Sequence, residues 1–178
     1  MSLETLRAGI PDWAKDTRLN LGSIVGTPAT LSEQQHWGAV LASAAAVRSP
    51  RVLVELLEEA RGHLSEAAVT AALSAASIMA MNNVYYRSRH LLDGRYDDLP
   101  ARLRMQIIGS PGVPKVDFEL WAISVSAING CGSCLESHEH VVREGGLSRE
   151  QVHDALRIAA VVSAAAQAVD TAAVLQAV

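Results

Sequence analysis

Segments rich in alanine, each preceded by a serine or a proline, follow one another along this 178-residue chain. Between them nothing alternates apolar and polar residues, with β-branched enrichment, for long enough to argue a strand. Ser32 precedes EQQHWGAVLASAAAVRS and reads as its N-cap. Ser49-Pro50 starts another helix, with the proline at the first helical position, where its missing N–H costs nothing. Ser65 caps EAAVTAALSAASIMAMNNVYYRSRHLL, which Gly94 ends. Leu99-Pro100 opens a shorter helix through Ile108, and SPGVP (Ser110 to Pro114) is a loop. Lys115 to Ile128 forms the next helix, broken at Asn129-Gly130, and Ser148 with Gln151 makes a capping box for a helix running nearly to the C-terminus.

Small side chains let neighbouring helices approach closely. The expected architecture is therefore all-α, a compact multi-helix bundle forming a single domain over residues 1–178, long enough to bury a substantial core. An internal echo aligns AMNNVYYRSRHLL (Ala80 to Leu92) with AINGCGSCLESHE (Ala127 to Glu139) at a constant offset of 47 residues. Asn82 then matches Asn129, while Val84 and Arg87 stand where the second segment has cysteines, as in a degenerate repeat of a helix-break-helix unit.

Hydrophobic residues make up 49% of the chain and charged ones 19%, a balance that suits a globular protein rather than a disordered one. A net charge of -4 offers no bulk attraction to phosphate, so neither nucleic acid nor an anionic membrane is an expected partner. MSLETLRAGIPDWAKD lacks a basic start followed by an apolar core, and the longest nearly apolar run, Ile158 to Val169, is too short to span a bilayer. The expected setting is cytoplasmic. There a permanent disulfide is unexpected, and two nearby cysteines point to redox chemistry or to metal.

The chain holds only two cysteines, in INGCGSCLESHEH (Ile128 to His140). Helical spacing puts Cys131 and Cys134 on neighbouring rows of one face, with His138 one turn beyond Cys134. Cys131 falls at the first or second residue of the helix, where unpaired N–H groups and the dipole favour thiolate. His138 can accept a proton from Cys134 or stabilise its anion. The dipole favours Cys131 as nucleophile and the imidazole favours Cys134. Glu119, in FELWAISVSA, is either on a solvent face or buried with a partner, and a chain reversal at Asn129-Gly130 would bring it to His138 as the end of a proton relay. His140 lies about 200° around the helix from His138 and reads as surface.

Structural zinc takes four ligands, commonly from two C-x-x-C units or one unit plus a spaced histidine pair. Here two cysteines, one co-facial histidine and Glu119 are all that is offered, so no metal is expected. Nucleophilic-hydrolase, P-loop and dinucleotide motifs are absent. A non-enzymatic redox sensor or scaffold and a small zinc-binding helical protein stand as alternatives to a redox enzyme.

Glu119, eleven intervening residues, then C-G-S-C-L-E-S-H resembles the active-site pattern of the AhpD alkylhydroperoxidase family, in the carboxymuconolactone decarboxylase-like superfamily. MNNVYYRSR, GRYDDLPARLRM, PGVPKVDFELW and VSAINGC are similar to segments of the same family. The resemblance implies an all-helical subunit, assembled as a homotrimer, that acts as a lipoyl-dependent alkyl hydroperoxide reductase in antioxidant defence and also reduces the peroxiredoxin AhpC. Electrons would come from dihydrolipoamide groups on the lipoylated dihydrolipoamide succinyltransferase, and ultimately from NADH through dihydrolipoamide dehydrogenase, with no cofactor bound. By position, Cys134 would be the peroxidatic cysteine that passes through sulfenic acid, and Cys131 the resolving thiol that closes a Cys131–Cys134 disulfide. His138 would be the proton relay and Glu119 its general base. Some members carry a histidine immediately before the second cysteine, where this chain has Ser133.

Overall fold

A computed structural model describes residues 3–177; residues 1, 2 and 178 of the expected domain lie outside it. Its helices are α1 (Leu3–Ala8), α2 (Lys15–Asn20), α3 (Glu33–Ala46), α4 (Pro50–Arg61), α5 (Glu66–Leu91), α6 (Gln106–Gly109), α7 (Lys115–Asn129), α8 (Gly132–Glu144) and α9 (Arg149–Gln176). No strand occurs among the described residues. The all-α bundle read from the sequence is the architecture found.

The serines act as the sequence implies. Ser32, Ser49, Ser65 and Ser148 each accept a hydrogen bond from the backbone N–H three residues on, so each satisfies a donor the helix itself leaves unpaired. Ser148 forms the expected capping box with Gln151, and Ser32 forms a second one with Gln35. Gly130, with φ +68°, ends α7 in the left-handed conformation, and the Cys131 N–H closes the turn on the Ser126 carbonyl at 3.0 Å.

Helix α7 is the axis of the molecule. It packs against α3, α5, α8 and α9, and every residue from Asp117 to Ser126 is buried. A helix buried on all sides belongs inside a bundle, and its polar side chains there need partners. Helix α7 meets α3 tightly at Gly38, where an added Cβ would lie 2.0 Å from the Trp121 ring. Trp121 is fully buried and donates its indole N–H to the Gln35 carbonyl at 3.1 Å.

Two expectations are corrected. The helix from Leu99-Pro100 to Ile108 shrinks to Gln106–Gly109, because residues 100–105 are irregular and Arg102 has φ +51°. A proline at the first position permits a helix but does not drive one. The 47-residue echo carries no shared break, since α5 runs unbroken through Asn82 and Asn83. Asn83 occupies the position of Gly130, and without glycine's ready access to positive φ the helix continues. Helices α5 and α9 are long and apolar enough to cross a membrane by length and composition, although Ile158 to Val169 alone is not. Their alanine-lined faces are spent against α3, α7 and α8 (for α5) and α3, α4 and α7 (for α9), as in core helices.

The N-terminal region, for which the sequence reading named no elements, winds through α1, a 3-10 turn at Asp12–Ala14, α2 and a wide turn at Leu21–Val25. It inserts Leu6, Ile10, Leu21 and Val25 into the core.

Candidate active site

The αL turn at Gly130 sends the chain from α7 directly into α8, and the four residues singled out from the sequence lie on these two helices. Cys131 is the N-cap of α8, one residue earlier than expected, with extended φ/ψ of -96° and 93°. Cys134 is the third helical residue. Their sulfurs are joined in a disulfide with Cα atoms 5.3 Å apart, inside the usual range for such a bridge. Cys131 is fully buried, whereas Cys134 is 6% exposed and lines a cavity.

Glu119 is 3% exposed, so of the two readings the sequence allowed, the buried one holds. Its partner is His138, whose Nδ1 stands 2.5 Å from Glu119 Oε2. A carboxylate at that distance orients the ring with Nδ1–H donating and leaves Nε2 to take or release a proton. In this oxidised state Nε2 faces the Met79 thioether at 3.2 Å. His140 is exposed and paired with Glu144 on the same helix, the surface role expected of it.

Cys134, His138 and Glu119 line one cavity of about 300 Å³ together with Asn82, Tyr86, Met105, Ile108, Ser133, Ser137 and Val141. Tyr86 and Ser133 also line a wider groove bordered by Arg89, His90, Asp93 and Asp97, so the cavity and the outer groove share a wall. Ser133 Oγ lies 3.7 Å from Cys131 Sγ, a polar contact beside the sulfur pair.

Sequence reasoning missed the wall supplied by α5. Met79, Asn82 and Tyr86 fall at i, i+3 and i+7, one face of a helix, and that spacing was the available signal. What the spacing lacked was any indication of which face meets α8. The same helix braces the turn before Cys131. Asn83 donates to Ser126 Oγ at 2.9 Å and accepts from the Asn129 side-chain Nδ2 at 3.0 Å, and the Arg87 guanidinium donates to the Asn129 backbone carbonyl. Among the described residues no group of three His, Cys, Asp or Glu side chains is placed to hold a metal ion.

Fold and site together define an all-helical dithiol/disulfide protein. The Carboxymuconolactone decarboxylase family matches residues 95–177, the portion that carries Glu119, both cysteines and His138. Similarity to named relatives extends further. The chain is 58% identical to the "Alkyl hydroperoxide reductase AhpD" of Streptomyces avermitilis over 176 residues, covering 98% of this chain and 99% of the relative. It is 58% identical to the protein of the same name from Streptomyces coelicolor over 178 residues, with 99% of each covered. Identity to that of Mycobacterium tuberculosis is 56% over 171 residues, with 96% of each covered. This chain belongs to the AhpD alkyl hydroperoxide reductase family.

Proposed function

We propose that this protein is a peroxide-reducing oxidoreductase that turns over through the Cys131–Cys134 pair. One observation carries the reading: the more accessible sulfur, Cys134, opens into the same cavity as the buried His138–Glu119 pair, with its partner sulfur already bonded behind it. This placement supports Cys134 as the attacking sulfur, in the order the sequence left open. Cys131 is fully buried and is not part of the cavity wall, so a peroxide in the cavity meets Cys134.

In the reduced protein, His138 Nε2 takes the Cys134 thiol proton while Glu119 holds the resulting imidazolium. The Cys134 thiolate attacks one peroxide oxygen and the O–O bond breaks. The departing alkoxide takes the proton back from His138 and leaves as alcohol, and Cys134 becomes a sulfenic acid. The Cys131 thiol then displaces hydroxide from that sulfenic acid, giving water and the disulfide. Apolar Ile108, Met105 and Val141 on the cavity wall suit the organic part of an alkyl hydroperoxide.

Reduction requires a dithiol. A dihydrolipoyl group entering by the outer groove attacks Cys134 and expels Cys131 as thiolate, and its second thiol then attacks the mixed disulfide, so that Cys134 leaves as thiolate and the lipoyl group departs as its cyclic disulfide. The first leaving group is the better one for its position, because an N-cap thiolate faces the unpaired N–H groups and positive end of α8. In this reading a lipoylated succinyltransferase and dihydrolipoamide dehydrogenase supply the electrons in the cytoplasm, AhpC is a second acceptor, and the working form is a homotrimer.

The test is NADH oxidation with an alkyl hydroperoxide, lipoamide and dihydrolipoamide dehydrogenase. Wild type should consume NADH and Cys134→Ser should not; equal rates remove the enzymatic reading. In Cys131→Ser, sulfenic acid should accumulate on Cys134 after peroxide treatment. A stable sulfenic acid on Cys131 in Cys134→Ser, with none on Cys134 in the reverse variant, would reverse the assigned order.

A further inference from the structure

Helix α5 carries two adjacent asparagines with opposite fates. Asn83 is 1% exposed, and its carboxamide is committed on both sides, to Ser126 and to Asn129. Asn82 is 5% exposed, and its Oδ1 is buried without a hydrogen-bond partner. Buried polar atoms are nearly always paired, and one that is not costs stability. Asn82 is also the asparagine that lines the cavity holding Cys134, His138 and Glu119. Its helical neighbours on that face are Met79, which contacts His138 Nε2, and Tyr86, which lines the same cavity.

A purely structural role does not account for this placement. A leucine has nearly the same size and would fill the site without an unpaired oxygen, while Asn83 and Arg87, not Asn82, tie α5 to the turn before Cys131. Besides the reacting Cys134, the other polar side chains on the cavity wall belong to the relay or are hydroxyls, so among the described residues Asn82 supplies its only carboxamide. A carboxamide offers both a donor and an acceptor. A hydroperoxide requires both: its terminal O–H donates, and its oxygens accept as negative charge builds on the departing oxygen.

We propose that the Asn82 carboxamide is a substrate contact that hydrogen-bonds the –OOH group and holds it against Cys134. This rests on the peroxidase reading and adds to it the group that orients the peroxide. Oδ1 accepts the hydroperoxide O–H, and the amide N–H steadies the oxygen on which charge develops, so the contact strengthens as the O–O bond breaks.

The test compares two reactions of the reduced protein, followed by stopped flow and located by mass spectrometry. One is oxidation of Cys134 by tert-butyl hydroperoxide. The other is alkylation of Cys134 by monobromobimane, which has no peroxide group and so reports thiolate reactivity alone. Asn82→Leu should slow the peroxide reaction by about 10- to 100-fold, the range expected for one hydrogen bond to a charged group, and leave alkylation within about twofold of wild type. Asn82→Ala, which adds no apolar bulk, gives the same comparison if the leucine variant does not fold. Equal peroxide rates in wild type and variant would overturn the assignment. So would a parallel fall in both reactions, which marks Asn82 as shaping Cys134 rather than touching the peroxide. Wild-type protein that alkylates normally but ignores the peroxide would instead bring down the peroxidase reading, and the assignment with it.

Discussion

Gly38→Ala is the substitution that helix propensity and packing judge in opposite ways. Gly38 lies inside α3, where alanine is favoured over glycine by about 1 kcal/mol. The structure reverses the sign. The new Cβ would sit 2.0 Å from Trp121 Cε2 and 2.4 Å from Nε1, and the ring it meets is rigid, fully buried and tethered to the Gln35 carbonyl. Overpacking of this kind costs about 1–3 kcal/mol. Pushing the indole off Gln35 leaves a buried N–H unpaired for about another 1–3 kcal/mol. Set against the propensity gain, the net loss is centred near 3 kcal/mol, which for a chain of this size lowers Tm by about 6–12 °C. Trp121 stands two residues from Glu119 on α7, about 200° around the helix and facing α3, so peroxide turnover should fall only as the folded fraction does. Urea or thermal unfolding followed by circular dichroism measures the first effect and the NADH-coupled assay the second. A variant as stable as wild type, or more so, would show that α3 and α7 are not held at the distance argued here.

Glu119→Gln keeps the shape of the site but removes the charge that supports a protonated His138, and kcat/KM for peroxide should drop about 100-fold or more with the fold retained by circular dichroism; unchanged kcat/KM would remove Glu119 from the relay. Burial holds the His36 imidazole below its ordinary 6.5, outweighing its hydrogen bond to the Val25 carbonyl and the nearby Asp154 carboxylate, with His63 adding to the lowering. The folded state therefore binds fewer protons than the unfolded one, and the stability His36 permits is full above pH 6.5 and declines as the pH falls below it. His36→Gln, which still donates to Val25 but does not titrate, should flatten urea midpoints between pH 7 and pH 5; an unchanged slope would place the titration elsewhere. Asp154 accepts from the Thr30 amide at 3.2 Å and hydroxyl at 2.7 Å and pairs with Arg157 at 2.9 Å, tying the segment before α3 to α9. Desolvation raises its pKa, but the Thr30 and Arg157 contacts together hold it below the ordinary 3.8, so its contribution is present above that value and is lost as pH falls through the folded one. Asp154→Ala should cost about 1–3 kcal/mol at neutral pH in urea unfolding, and no loss would show that these contacts are cosmetic.

The parts of the fold that were legible in the sequence are those governed by local chemistry. Four serine caps and one left-handed glycine set the starts of α3, α4, α5 and α9 and the break between α7 and α8, each through hydrogen bonds within a few residues. The sulfur pair and His138 were legible for the same reason, since a single helix sets their spacing. Glu119 was legible only as a fork, buried or exposed, because its partner lies 19 residues away and across a turn. Residues 100–105 and the N-terminal windings were not legible, because long-range packing shapes them: Met105 meets Tyr86 of α5, and Leu6, Ile10 and Leu21 are buried in the shared core. Asn82 and Asn83 show the limit most sharply. Two identical neighbours, about 100° apart on one helix, differ only in what lies opposite each.

The backbone around Cys131 is fastened without help from sulfur: its N–H bonds the Ser126 carbonyl, and its own carbonyl receives the Leu135 N–H at 3.0 Å. Making or breaking the sulfur–sulfur bond therefore asks only for a side-chain rotation, not for local melting. Both redox forms can share one scaffold, so the speed of each turn of the cycle falls to chemistry and to the arrival of reagents instead of to refolding.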